Sequence, residues 1–262
     1  MSVIFASLVY ENQTQQVILQ GYNLLDNPSF NLFMNNDVAS RLNDESESNE
    51  FKSLLRGLPL TGFGNKHLED ILSASIQEER DWAIAEALAE TWLTHTHQVI
   101  WPWNMERDKR NARASLPGAD LVGFIQSGSD TLLALGEVKL SGEKKYPPSV
   151  MSSMHQQIDN LLKNPESVAQ LLKWLFSRCK ANEFEPLYKA SLAYYFNSGK
   201  SAITLFGVLV RETEANELDL QSHGEKLSKI LSSPSLCNLI ALYFPGKISE
   251  FHTRLKRSEN ES

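Results

Sequence analysis

Residues 118–141 read Gly118-Ala-Asp-Leu-Val-Gly-Phe-Ile-Gln-Ser-Gly-Ser-Asp-Thr-Leu-Leu-Ala-Leu-Gly-Glu-Val-Lys-Leu-Ser141, and this stretch decides the fold. Leu121–Gln126 and Thr131–Leu140 are apolar runs of strand length. Ser127-Gly-Ser-Asp130 between them supplies turn chemistry, so the pair predicts a β-hairpin. The charged residues in and just before these strands are Asp120, Glu137 and Lys139. Side chains alternate across a strand, so Glu137 and Lys139 share a face, and Asp120, opening the partner strand, can reach it. Two carboxylates and an amine on an apolar hairpin are costly unless a metal, a partner charge or water compensates them. That cost marks a candidate site.

Outward from the hairpin, residues 67–94 place Leu68, Ile71, Leu72, Ile76, Trp82, Ile84, Leu88 and Trp92 near a 3.6-residue period, which predicts a helix. Glu86 and Glu90 lie one turn apart within it. Val99–Trp103 reads as a short edge strand, limited by Pro102. Glu106–Arg113 follows as a mixed loop with four bases, read as a solvated surface loop with phosphate contact as the alternative its position raises. Downstream, Val150–Lys163 predicts a helix carrying His155, Gln156 and Gln157, and Pro165 starts a second helix reaching about Lys180. Ala190–Asn197 and Ala202–Arg211 read as strands around a Ser198-Gly199-Lys200 turn. Ser222–Leu231 reads as helix, Leu236–Phe244 as an apolar strand or buried helix, and Lys247–Arg257 as a basic terminal helix. Upstream, Val3–Tyr10 and Gln16–Tyr22 suggest a hairpin, and Asn36–Leu58 a helix with an acidic middle. The expected division is an N-terminal α+β accessory or docking part over 1–66 and the main domain over 67–262.

The 262 residues can bury a sizeable core, and 42% hydrophobic with 22% charged residues is ordinary for a globular chain. The net charge of −7 argues against a protein that grips a nucleic-acid backbone by itself. That charge is uneven: residues 1–80 hold 11 acids and 5 bases, whereas residues 151–262 hold 12 and 13. No apolar run approaches the ~20 residues of a membrane span, so no membrane partner is expected. Val3–Tyr10 lacks the basic lead-in of a signal peptide, and Cys179 and Cys237 lack metal-type spacing. Both features point to a cytoplasmic protein with reduced thiols. No Walker motif and no nucleophile elbow occur, so neither ATP use nor serine chemistry is expected.

The order helix with Glu86, strand, Asp120 strand, Glu137-Val-Lys139 strand, helix with Gln156 and Gln157, strand resembles the PD-(D/E)xK nuclease superfamily over roughly residues 80–210. The resemblance implies an α/β fold with a restriction-endonuclease-like core, its mixed central sheet flanked by helices. It also implies that Asp120, Glu137 and Glu86 bind Mg²⁺ or Mn²⁺, that Lys139 is the catalytic lysine, and that Gln157 or Gln156 completes the site. Glu-x-Lys alone is weak, since Glu143-Lys-Lys145 fits it too. That copy lies in a polar loop before Pro147-Pro148 and lacks a strand's apolar flanks. Gly118-Ala-Asp-Leu-Val-Gly-Phe and Gly136-Glu-Val-Lys-Leu-Ser look like the HamA family, the nuclease-type component of Hachiman antiphage defence. This family implies a magnesium-dependent nuclease acting on DNA in the cytoplasm under a superfamily 2 helicase partner, HamB. The alternative is a catalytically inert nucleic-acid-binding or regulatory subunit on the same fold. His95, His97 and His155 are read as structural.

Overall fold

A computed structural model describes residues 4–43, 45–74, 81–104, 118–199 and 202–256. Its centre is a mixed sheet of six strands in the order β1-β2-β6-β5-β4-β3: β1 (Ala6–Thr14), β2 (Val17–Leu24), β3 (Leu121–Ser127), β4 (Asp130–Ser141), β5 (Ile203–Arg211) and β6 (Leu236–Tyr243). Antiparallel hairpins close both edges, β1 with β2 and β4 with β3, while β2, β6, β5 and β4 run parallel. Every residue of β5 is buried, as a central parallel strand covered on both faces requires. Helices flank the sheet, so the α/β class is established.

The covering helices on the two faces can be told apart from one strand. Gly207 of β5 pairs in register with Glu137 of β4. A Cβ on Gly207 would lie 2.8 Å from Met154 Sδ and 3.2 Å from Ile158 Cδ1, so α6 (Val150–Lys163) packs there at backbone distance. Its neighbour Phe206 points the other way and meets the His97 ring of α5 (Asp81–His97) at 5.3 Å. Glu137 therefore faces the α6 side, and α5 covers the opposite side.

Local signals explain the helices that shape the α6 side. Met151, Met154, Ile158 and Leu161 recur at helical spacing and are all buried. Asn164 ends α6 and also starts α7 (Pro165–Cys179), where its side chain accepts from Glu166 N at 3.0 Å and Pro165 takes the first helical position.

Several expectations are corrected. Ala190–Asn197 is not a strand but the second half of α8 (Glu185–Asn197). The run Leu192-Ala-Tyr-Tyr-Phe196 has strand-like residues, yet Tyr188, Ser191 and Tyr195 bury one helical face, and Tyr188 donates to Leu172 O on α7 at 3.0 Å. Ser198-Gly199 ends that helix, with Gly199 at φ +70, instead of turning a hairpin. Val99–Trp103 contracts to a single bridge between Ile100 and Phe124, at the outer edge of β3. The described parts of the 67–94 run are helical as expected, in α4 (Gly62–Ala74) and α5, and 75–80 lie outside the described residues. The Asn36–Leu58 helix divides into a π-helical turn (Phe33–Val38), α2 (Ala39–Leu42) and α3 (Glu45–Arg56), preceded by α1 (Pro28–Leu32).

The N-terminal hairpin turns at Gln15, φ +53, one residue beyond the turn expected at 11–14. It is hydrogen-bonded into the main sheet through β6, so the sheet crosses the division expected at residue 66. The C-terminal apolar segment resolves as a strand, β6. After β5 come a 3₁₀ turn (Glu217–Asp219) and α9 (Gln221–Ser228). After β6 come a second 3₁₀ turn (Ile248–Glu250) and α10 (Phe251–Lys256). Among the described residues no helix is long and apolar enough to cross a membrane.

Candidate active site

The β3–β4 register pairs Leu121 with Gly136, and Asp120 N donates to Gly136 O at 3.0 Å, which sets Asp120 beside Glu137. The Asp120 carboxylate is then pinned twice by its own hairpin. Its Oδ2 accepts from Val138 N at 3.0 Å and from Lys139 Nζ at 3.4 Å. Lys139 Nζ also reaches Glu137 Oε2 at 3.0 Å, so one ammonium bridges both carboxylates. Gly118, at φ +91, leads into Asp120 in a backbone conformation that a side chain would strain.

Burial and charge tune this triad. Glu137 is 1% exposed, and its pKa is pushed up to about 8, first by burial and then by the Asp120 carboxylate, against the pull of Lys139. Burial works against the Lys139 ammonium, but Asp120 and Glu137 together outweigh it and hold its pKa above the ordinary value. With two acids for one amine, the site gains a surplus of carboxylate when Glu137 ionises, and a nearby cation favours that ionised form. Two hard carboxylate oxygens on one wall of an open cleft suit Mg²⁺ or Mn²⁺, which keep several waters and take one or two protein carboxylates. The donor set therefore fits the ion that the sequence resemblance implies.

The triad opens into a cleft of about 640 Å³. The hairpin supplies Gly118, Ala119, Asp120 and Glu137, and α6 supplies Gln156, Gln157, Asp159, Asn160 and Lys163. Gln156 and Gln157, the two alternatives for completing the site, both line the cleft. Residues ~100° apart can straddle a direction between them, and a cleft this wide takes in both. Gln157 is half-buried and accepts from Ser153 Oγ at 3.3 Å, whereas Gln156 is exposed. Asp159, Asn160 and Lys163 were not foreseen. Their signal was present as a polar stripe, Gln156, Asn160 and Lys163, at the i, i+4, i+7 spacing opposite the buried methionines.

Other expected participants stand apart. Glu86 is buried on α5, 8% exposed, and is not among the residues lining the cleft. Among the described residues no three His, Cys, Asp or Glu side chains gather into a metal-holding group, so Asp120 and Glu137 stand as a pair. Glu90, one turn on, is ion-paired with Arg41, which also donates to Trp103 O. His95 meets Asp37 at 3.2 Å, His97 packs on Phe206, and His155 faces His223 with ring centres 5.6 Å apart. Glu143 accepts from both the Oγ and the N of Ser149, where α6 begins, so the competing Glu-x-Lys triplet has a structural task. The basic run Glu106–Arg113 lies outside the described residues. No protein-family model matches the chain, and no curated protein is significantly similar to it.

Proposed function

We propose that this protein is a Mg²⁺- or Mn²⁺-dependent nuclease with a restriction-endonuclease-like core, hydrolysing DNA phosphodiesters as the effector of a defence system under a superfamily 2 helicase of the HamB kind. The observation that carries the reading is the Lys139 ammonium bridging the Asp120 and Glu137 carboxylates on the wall of an open cleft. Such a constellation, perturbed by burial and by specific charge partners and set in a cleft, supports a functional site.

Asp120 and Glu137 would hold the ion; once bound, it neutralises charge on the phosphate oxygens and lowers the pKa of a bound water. Lys139, a full ammonium beside both carboxylates, would donate to the attacking water and orient it, or offset charge on the phosphate. Gln157, fixed by Ser153, can direct its amide at the same water or at the phosphate. Glu86 enters this scheme only through the family resemblance. The acidic overall charge is compatible with DNA being delivered by the partner helicase.

The test is metal-dependent plasmid cleavage with the helicase present. Lys139→Ala and Glu137→Ala are expected to lower the rate by about 10²–10⁴, the range of a lost proton-transfer group, with folding and partner binding kept. Full activity in both variants would defeat the nuclease reading. A wild-type protein that binds DNA without cutting it would instead favour an inert binding subunit.

A further inference from the structure

The hairpin wall of the cleft and Gln157 have been assigned a chemical task, while the exposed residues of α6 along the cleft have not. Gln156, Asn160 and Lys163 are all exposed, all line the cleft, and occupy one face of the helix. Each carries nitrogen-bound hydrogens to donate. Asn160 is steadied by its Nδ2 donating to Ser167 Oγ on α7 at 3.0 Å. Lys163 is held at the cleft by Asp159 Oδ1 at 2.7 Å, an i, i+4 pair with the lysine side chain 61% exposed. The lysine end of the pair is open to solvent while Asp159 is 28% exposed, so a phosphodiester oxygen can compete for the ammonium from the cleft side.

We propose that Gln156, Asn160 and Lys163 form a rail that binds the sugar–phosphate backbone of a nucleic-acid strand beside the reacting phosphate, with Asp159 as the counter-ion that the strand displaces. Its contacts are to phosphate, so it sets position and register without reading bases. The inference rests on the nuclease reading for its ligand, but the rail makes its own prediction about binding.

The experiment is fluorescence anisotropy of the full chain with a labelled DNA oligonucleotide. Single-stranded and duplex DNA form separate arms across a salt series, with Ca²⁺ as the divalent ion. Lys163→Gln is expected to weaken binding several-fold and to reduce the salt slope by roughly 0.7 on a single strand or 0.9 on a duplex, the loss of one phosphate contact. Lys163→Arg should restore both quantities, and Asp159→Asn should tighten binding by removing a competing carboxylate. A structural role for Lys163 would not move the slope. The rail is overturned if Lys163→Gln keeps the wild-type affinity and slope, if Asp159→Asn weakens binding, or if the wild-type chain binds neither DNA. If the slope changes as expected while the wild type cuts nothing in Mg²⁺ with the helicase present, the nuclease reading falls and the rail stands.

Discussion

Two clusters of buried charge lie close together, since Arg211 of β5 pairs with Ser141 of β4, four residues beyond Glu137, and they are built on opposite principles. At the end of β5, Arg211 is fully buried against Asp219, with Nε to Oδ2 at 3.2 Å. Its remaining donors go to fixed acceptors: Ser141 O at 3.3 Å, Glu143 O at 2.7 Å and Lys145 O at 3.1 Å. Tyr243 OH adds a bond to the Asp219 carboxylate at 3.1 Å. One charge meets one charge, and the guanidinium ties the loop after β4 to the sheet. Around Lys139, two carboxylates share one ammonium, and a cleft stands open beside them. Burial alone therefore does not mark a functional group. Incomplete compensation beside an open volume does.

The widest consequence of that contrast is for stability. Arg211→Ala strips a buried carboxylate of its partner and frees three backbone carbonyls, so chemical denaturation should show a loss of ~3–5 kcal/mol. A loss below ~1 kcal/mol would place Arg211 in the same loosely compensated class as the triad, and the comparison would break.

Next in size is a pH effect confined to the triad. The Glu137 pKa is raised in the folded state, so this group's contribution to stability is fully present below the unfolded carboxyl value and is lost as pH rises through about 8. One group contributes a slope of at most about 1.4 kcal/mol per pH unit. Glu137→Gln should flatten the decline of stability between pH 5 and pH 8, as read from urea midpoints across that range. An unchanged decline would mean that Glu137 is already ionised in the native protein at low pH.

The smallest effect separates the two Glu-x-Lys triplets. Glu143→Ala removes the carboxylate that accepts from Ser149 at the start of α6. A slight fall in melting temperature with DNA cleavage unchanged is expected. Lost cleavage with an unchanged melting curve would move the chemistry to Glu143 and undo the distinction.

The legible parts of the sequence were those with a local cause. The β3–β4 hairpin follows from two apolar runs of strand length around a Ser-Gly-Ser-Asp turn, and α6 runs from Val150 to Lys163 as its apolar spacing predicts. Glu143 could be set aside because its neighbours are polar. Ala190–Asn197 misled because aromatic residues suit strands as well as helices, and only packing on α7 and the sheet selects between them. The stripe Gln156–Asn160–Lys163 was written in the helix, but a polar stripe becomes a cleft wall only when a second wall faces it.

By itself, then, the sequence determined which three charged residues share the hairpin and which face of α6 is apolar, because strand and helix periods operate within a few residues. Tertiary structure decided that residues 17–23 pair in parallel with residues 237–243, joining the N-terminal hairpin to the central sheet. It also decided that Glu86 and α6 lie on opposite sides of that sheet, and that Glu137 opens onto a cleft whereas Arg211 is sealed. These outcomes depend on long-range pairing and on what stands across from each side chain, neither of which has a period to be read along the chain.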